Sequence, residues 1–205
     1  MTETLIVTYL PSGESSQTKR LLDSLIENIS GRYHVIDLLQ QTPFFLTPDR
    51  MRALIKRNYL GETLNSSEKA LVSRSDDYIR HLRQTKHLVL AYPMHNFSMP
   101  AIIKAFFDSV IIKGETFDVS DHQYTGLMKD KNGLALTTSG GCYDEKSGWN
   151  DYEHCFSLQE KIFDFLGYEN NKVISVQGCD ELPKEDIERR FKEAIEHLQK
   201  HVCNW

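Results

Sequence analysis

Three short stretches of this sequence combine residue types that bind or react. The first is Leu10-Pro11-Ser12-Gly13-Glu14-Ser15-Ser16-Gln17-Thr18, which joins an apolar run to an amphipathic segment. Its hydroxyls and the unpaired N–H groups of a following helix suit an anion such as phosphate, which the positive end of the helix dipole also stabilises. Ordinary helix capping by Ser15 or Ser16 is the plainer alternative. The second stretch, Tyr92-Pro93-Met94-His95-Asn96-Phe97-Ser98-Met99-Pro100, mixes apolar surface with hydrogen-bonding groups. That mixture suits a flat, amphipathic heterocycle, unless Met94 and Phe97 simply bury in the core. In the third, Thr138-Ser139-Gly140-Gly141-Cys142-Tyr143, paired glycines allow backbone to approach a ligand closely, or form no more than a flexible turn. The first stretch matches neither the G-x-G-x-x-G dinucleotide fingerprint nor the G-x-x-x-x-G-K-[ST] nucleotide loop.

These stretches matter because of the elements that carry them. Apolar runs at Leu5 to Tyr9, Val35 to Leu38, His87 to Tyr92, Gly133 to Thr138 and Lys172 to Val176 predict five strands. Between them, helical spacing is expected at Ser16 to Ile29, Asn65 to Gln84, Pro100 to Lys113, Asp151 to Leu166 and Pro183 to His201. Asn65 and Glu68 have capping-box spacing, Pro100 suits a first helical turn, and Gly167 stands where a helix-ending glycine belongs. Strict β/α alternation predicts an α/β fold, a doubly wound five-stranded parallel sheet in the order 2-1-3-4-5. In such sheets ligands bind at the carboxyl ends of the strands, where the strand order reverses. That rule selects the three stretches above. Two excursions interrupt the alternation: Thr42 to Leu64, with some helix expected at Met51 to Arg57, and Gly114 to Met128, expected to be irregular.

The chain's 205 residues suit a single domain, residues 1–205, with a substantial core. The net charge of −5 argues against a general nucleic-acid binder. Cys142, Cys155, Cys179 and Cys203 are widely spaced and form no C-x-x-C pair, so reduced thiols are expected and no metal site. The start lacks a basic and apolar leader, and no apolar stretch approaches the ~20 residues that span a bilayer. A cytoplasmic protein with no membrane partner is the expectation.

Pro93-Met94-His95-Asn96-Phe97, followed by Pro100, Lys104, Asp108, Gly114, Thr116 and Phe117, resembles the signature of FMN-dependent NADH-azoreductases, also described as NAD(P)H quinone reductases. Gly126-Leu127 and Gly140-Gly141 follow in matching order, and the first stretch is similar to that family's S-P-R-x-x-x-S-x-S phosphate loop. The resemblance runs from Leu5 to about Val176. It implies a flavodoxin-like three-layer sandwich, FMN as cofactor, NADH or NADPH as co-substrate, and a quinone or azo compound as acceptor in a ping-pong reaction. It also implies a homodimer with flavin sites at the subunit interface. Carried over by position, Ser16, Gln17 and Thr18 would hold the FMN phosphate. Met94, His95, Asn96 and Phe97 would line the ribityl chain and ring, and Thr138, Ser139, Gly140 and Gly141 would contact the pyrimidine edge.

The match departs at Leu10, which replaces the phosphate loop's first serine, and at His95, Val119 and Ser139, where tyrosine, an aromatic residue and arginine are frequent. No catalytic residue is assigned; His95 or Tyr143 is a candidate proton donor, and solvent can do the same. A flavodoxin-type electron carrier shares the fold and is the alternative, though such carriers tend to be shorter and more acidic.

Overall fold

A computed structural model describes residues 3–203 and 205. Its main sheet has five parallel strands, β1 (Thr4–Thr8), β2 (Tyr33–Asp37), β3 (His87–Pro93), β6 (Asn132–Thr138) and β7 (Asn170–Val176). They lie in the order β2-β1-β3-β6-β7, which is the expected 2-1-3-4-5 topology. The central strands β1, β3 and β6 are almost wholly buried, as their continuous apolar runs require.

Alternate residues of each strand serve opposite faces. Leu5, Val7, Leu88 and Leu90 face a core shared with α3 (Ser66–Gln84), α4 (Ala101–Val110) and α5 (Phe156–Leu166), filled by Tyr78, Phe106, Phe107 and Phe163. Ile6, Val89, Leu134 and Leu136 face a second core with α1 (Gln17–Asn28) and α6 (Lys184–Val202), through Leu21, Leu25, Phe191 and Leu198. Each fully buried large side chain contributes roughly 1.5–3 kcal/mol. The three layers are thus fixed by which side of the strand each apolar residue occupies.

Several expectations are corrected. The stretch from Gly114 to Met128 is not irregular: it holds an antiparallel hairpin, β4 (Phe117–Ser120) and β5 (Gln123–Gly126). Its turn residues Asp121 and His122 both have positive φ, 49° and 62°. Gly126 admits no side chain, because the backbone at Leu166 and Gly167 lies against its Cα. The helix expected from Asp151 begins instead at Phe156, because the Glu153 carboxylate accepts the N–H groups of Cys155, Phe156 and Ser157 and caps it there. Pro100 occupies the cap position before α4, not its first turn. The other excursion holds α2 (Pro48–Asn58), longer than expected, packed on α3. The Asn65/Glu68 capping box and the left-handed Gly167 cap are present as expected.

Strand register sets the position of the three loops. Thr8 pairs with Ala91, Tyr92 with Thr137 and Pro93 with Thr138. The chain segments after β1, β3 and β6 therefore leave the sheet at one edge.

Candidate active site

At the β1 exit a short 3-10 turn, Gly13–Ser15, leads into α1. Ser16 is the helix cap, and its hydroxyl accepts the Lys19 N–H at 3.4 Å. Among the described residues, the N–H groups of Gln17 and Thr18 have no protein acceptor. They are the donors that a helix start leaves open. The neighbouring cations are already engaged: Lys19 pairs with Asp23 at 2.8 Å and Arg20 with Glu188 at 2.7 Å. An anion here meets backbone donors rather than a free ammonium or guanidinium.

The Thr18 hydroxyl is not open to a ligand. It shares a hydrogen bond of 2.6 Å with the Thr138 hydroxyl, both buried. That contact joins the start of α1 to the end of β6. Met94 then donates its N–H to the Thr138 carbonyl at 2.8 Å, so the second stretch is tied to the third.

His95 and Ser98 exchange backbone hydrogen bonds of 2.9 and 3.1 Å around Asn96 and Phe97. Both central residues have positive φ, 47° and 71°. Asparagine tolerates that region, whereas phenylalanine there is strained. The turn holds Phe97 outward, 41% exposed. Its carbonyl accepts the His154 N–H at 2.9 Å, and its ring meets Tyr152 at 5.5 Å and Tyr143 at 6.2 Å. Met94 packs partly on the core and His95 lies edge-on to Tyr9.

The third stretch is gripped by the turn after β7. Ser139 donates its N–H to Val176 and its hydroxyl to the Gly141 carbonyl, and Gly178, Cys179 and Asp180 donate to Gly141, Ser139 and Gly140. Among the described residues the Gly140 and Gly141 N–H groups keep no protein partner. Neither glycine is at positive φ. At Gly140 the space of a side chain is occupied by the Asp180 carboxylate; at Gly141 a Cβ would stand 3.1 Å from Glu181 Oε1 and 3.4 Å from the Tyr143 hydroxyl. The glycines thus admit neighbouring side chains as well as leaving donors open.

Next to Gly141 lies a cavity of about 190 Å³ lined by Phe97, Gly141, Cys142, Tyr143, Trp149 and Glu181. Burial, then the nearby Glu181 charge, pushes the Tyr143 phenol above its ordinary value, so it stays a proton-bearing donor at neutral pH. Burial also raises the Cys142 thiol, outweighing Arg190, so it is not an activated thiolate. Larger hollows of about 620 and 700 Å³ lie elsewhere, one beside β7 and α6 and one beside Phe44 and Arg74. Neither includes a residue of Ser16–Thr18, Met94–Phe97 or Thr138–Gly141.

All eleven residues singled out in the sequence therefore sit at one edge of the sheet, in three linked segments. Trp149, Tyr152 and Glu181 were missed. A Gly-Trp pair among aromatics was a faint signal for the first two; Glu181 had none, because only the β6/β7 pairing brings it beside Gly141.

A profile described as flavodoxin-like fold matches residues 2–202. The sequence is also 32% identical over 206 residues to the FMN-dependent NADH:quinone oxidoreductase of Haemophilus influenzae (strain PittEE), covering all of both chains. The chain belongs to this family of flavodoxin-like FMN-dependent NADH:quinone oxidoreductases. A second member, from Bacillus anthracis, is 27% identical, with 96% of this chain and 93% of that one covered. Among solved structures, the FMN-dependent NADH-azoreductase of Bacillus anthracis str. Ames Ancestor in complex with FMN superposes with a TM-score of 0.86 at 25% identity. That likeness covers 98% of this chain and 100% of the other.

Proposed function

We propose that this protein is a cytoplasmic FMN-dependent oxidoreductase. It takes reducing equivalents from NADH or NADPH and delivers them to a quinone or an azo compound. The observation that carries this reading is one continuous edge, with open N–H donors at Gln17 and Thr18, more at Gly140 and Gly141, and an aromatic-walled cavity beside them. A phosphate-bearing planar cofactor fits that donor set.

FMN, when bound, would supply the redox chemistry, a two-electron relay between nicotinamide and acceptor. The chain's own residues bind and orient. The Ser16 hydroxyl and the Gln17 and Thr18 N–H groups hold the phosphate. Met94, His95, Asn96 and Phe97 would line the ribityl chain and ring, and Thr138, Ser139, Gly140 and Gly141 would contact the pyrimidine edge. The open donors of Gly140 and Gly141 stabilise negative charge there, already oriented before reaction. Tyr143 holds a proton within the cavity wall. A pure electron carrier would have no use for such a walled cavity beside the ring.

Assembly as a homodimer is part of the proposal. Phe45 and Leu60 are 70% and 64% exposed, with Met51, Ile55 and Tyr59 also exposed on the same excursion. Apolar surface of that kind marks an interaction site.

The test is an absorption spectrum of the purified protein, followed by NADH without oxygen. A flavin band that bleaches, then returns when a quinone is added, is expected. Protein that stays colourless after incubation with FMN and leaves NADH unoxidised overturns the reading.

A further inference from the structure

The cavity beside Gly141 has a charge as well as walls. Phe97, Tyr143 and Trp149 line it, and Tyr152 backs it, with its ring 5.0 Å from that of Trp149. Glu181 closes one side. Its Oε2 accepts the Cys142 N–H at 3.0 Å, which fixes the carboxylate in place, while Oε1 leans over Gly141. No basic side chain lines this cavity. Two of the segments that form it, residues 139–155 and 177–182, carry Asp144, Glu145, Asp151, Glu153, Asp180 and Glu181 against Lys146 and His154. Arg190 reaches them from α6: it pairs with Asp144 at 3.4 Å, donates to the Gln177 carbonyl at 3.3 Å and stands 3.9 Å from the Cys142 sulfur, so it offsets one of the six acids from behind the wall.

Aromatic faces attract cations through their quadrupoles, and a fixed carboxylate adds Coulomb attraction. The same pair repels a sulfonate or carboxylate. At about 190 Å³ the cavity is smaller than the roughly 300–1,000 Å³ of drug-sized sites, so it takes one ring of an acceptor. We infer that Glu181, with the Phe97/Tyr143/Trp149 wall, makes this enzyme select acceptors bearing a cationic aromatic ring and reject anionic ones. The inference names the acceptor class and rests on the function proposed above. Glu181 acts here on specificity and not on the hydride steps.

The probes are phenyltrimethylammonium and benzenesulfonate, which share one ring and differ in charge. Each is titrated into the protein with and without added FMN and followed by tryptophan fluorescence, with Trp149→Phe assigning the signal between Trp149 and Trp205. Wild type is expected to bind the cation at least about ten-fold more tightly than the anion. Glu181→Gln keeps an oxygen for the Cys142 N–H and should shrink that ratio about five-fold or more. Cation binding in wild type should also weaken between 0.01 and 0.5 M salt, while binding of the neutral isostere tert-butylbenzene does not (salt values are about those that span strong and weak screening). Equal affinity for the two ions, an unchanged ratio in Glu181→Gln, or a salt-independent cation affinity overturns the inference. Loss of the proposed function reads differently: the protein then carries no flavin that NADH bleaches, whereas the fluorescence titration still reports on the cavity.

Discussion

The two ends of the site are built in opposite ways. At the α1 end the groups are small and neutral, and Ser16, Thr18 and Thr138 are buried. Helix start and strand end supply the geometry, and the open donors are backbone. At the acceptor end the groups are large, aromatic or charged: Phe97, Tyr143, Glu181 and Trp149, the last 53% exposed. Loops supply the geometry there, and side chains form the walls. On the function proposed above, a feature common to every turnover is thus placed on regular structure, and one that would choose between acceptors on loops that tolerate change.

The sharpest way to break that contrast is at Gln17, the first residue of α1. Proline is tolerated at this position; it removes the N–H, together with a side-chain amide whose one bond, from Arg20, is exposed. Gln17→Pro should leave the melting temperature nearly unchanged and weaken FMN binding by about 1.5–3 kcal/mol, the worth of one hydrogen bond to a charged group. That is on the order of 10- to 100-fold in Kd by fluorescence titration. Unaltered affinity would mean the phosphate lies elsewhere.

Next comes the hydroxyl pair. Thr138→Val strands the buried Thr18 hydroxyl and should destabilise the fold by about 1–3 kcal/mol in urea denaturation. Adding Thr18→Val should recover much of that loss, because neither polar group is then left unpaired. Additive losses would show that the pair contributes packing only.

At the acceptor end, Trp149→Ala should shift stability by no more than about 0.5 kcal/mol, as exposed loop positions do. Its effect should appear in the acceptor KM instead. A large drop in melting temperature would place Trp149 in the scaffold and erase the contrast.

The smallest effect concerns pH and the scaffold: His87 opens β3, at the sheet edge opposite the site. Burial lowers the pKa of His81, His87 and His201 below the ordinary 6.5. Below that value the unfolded chain takes up protons that the folded chain refuses, so the stability these three groups contribute falls as pH falls through 6.5 and is fully present above it. Urea midpoints at about pH 7.5 and 5.5 check the sign. A midpoint that rises on acidification would contradict it.

How much of this was legible in the sequence follows the same division. The strands announce themselves because β1, β3 and β6 are buried on both faces and must be apolar throughout. Asn65 with Glu68 and the glycine at 167 are local signals with local consequences. The β4–β5 hairpin escaped because its strands are short and largely exposed, and its turn uses Asp121-His122 rather than the Asn-Gly that such turns favour. Glu153 ending the loop before α5 was equally silent, since a glutamate accepting three N–H groups looks like any surface acid. Glu181 stands 39 residues beyond the Cys142 N–H that it accepts, and no spacing rule reaches that far.

The Thr18–Thr138 bond spans 120 positions. Synthesis proceeds from the N-terminus, so the first half of this bond emerges long before the second. Until the ribosome has released β6, α1 has no partner at its buried end, and the donors of Gly140 and Gly141 do not yet exist. Cofactor loading is therefore a late event in the life of the chain, one that certifies a nearly finished sheet rather than guiding its assembly.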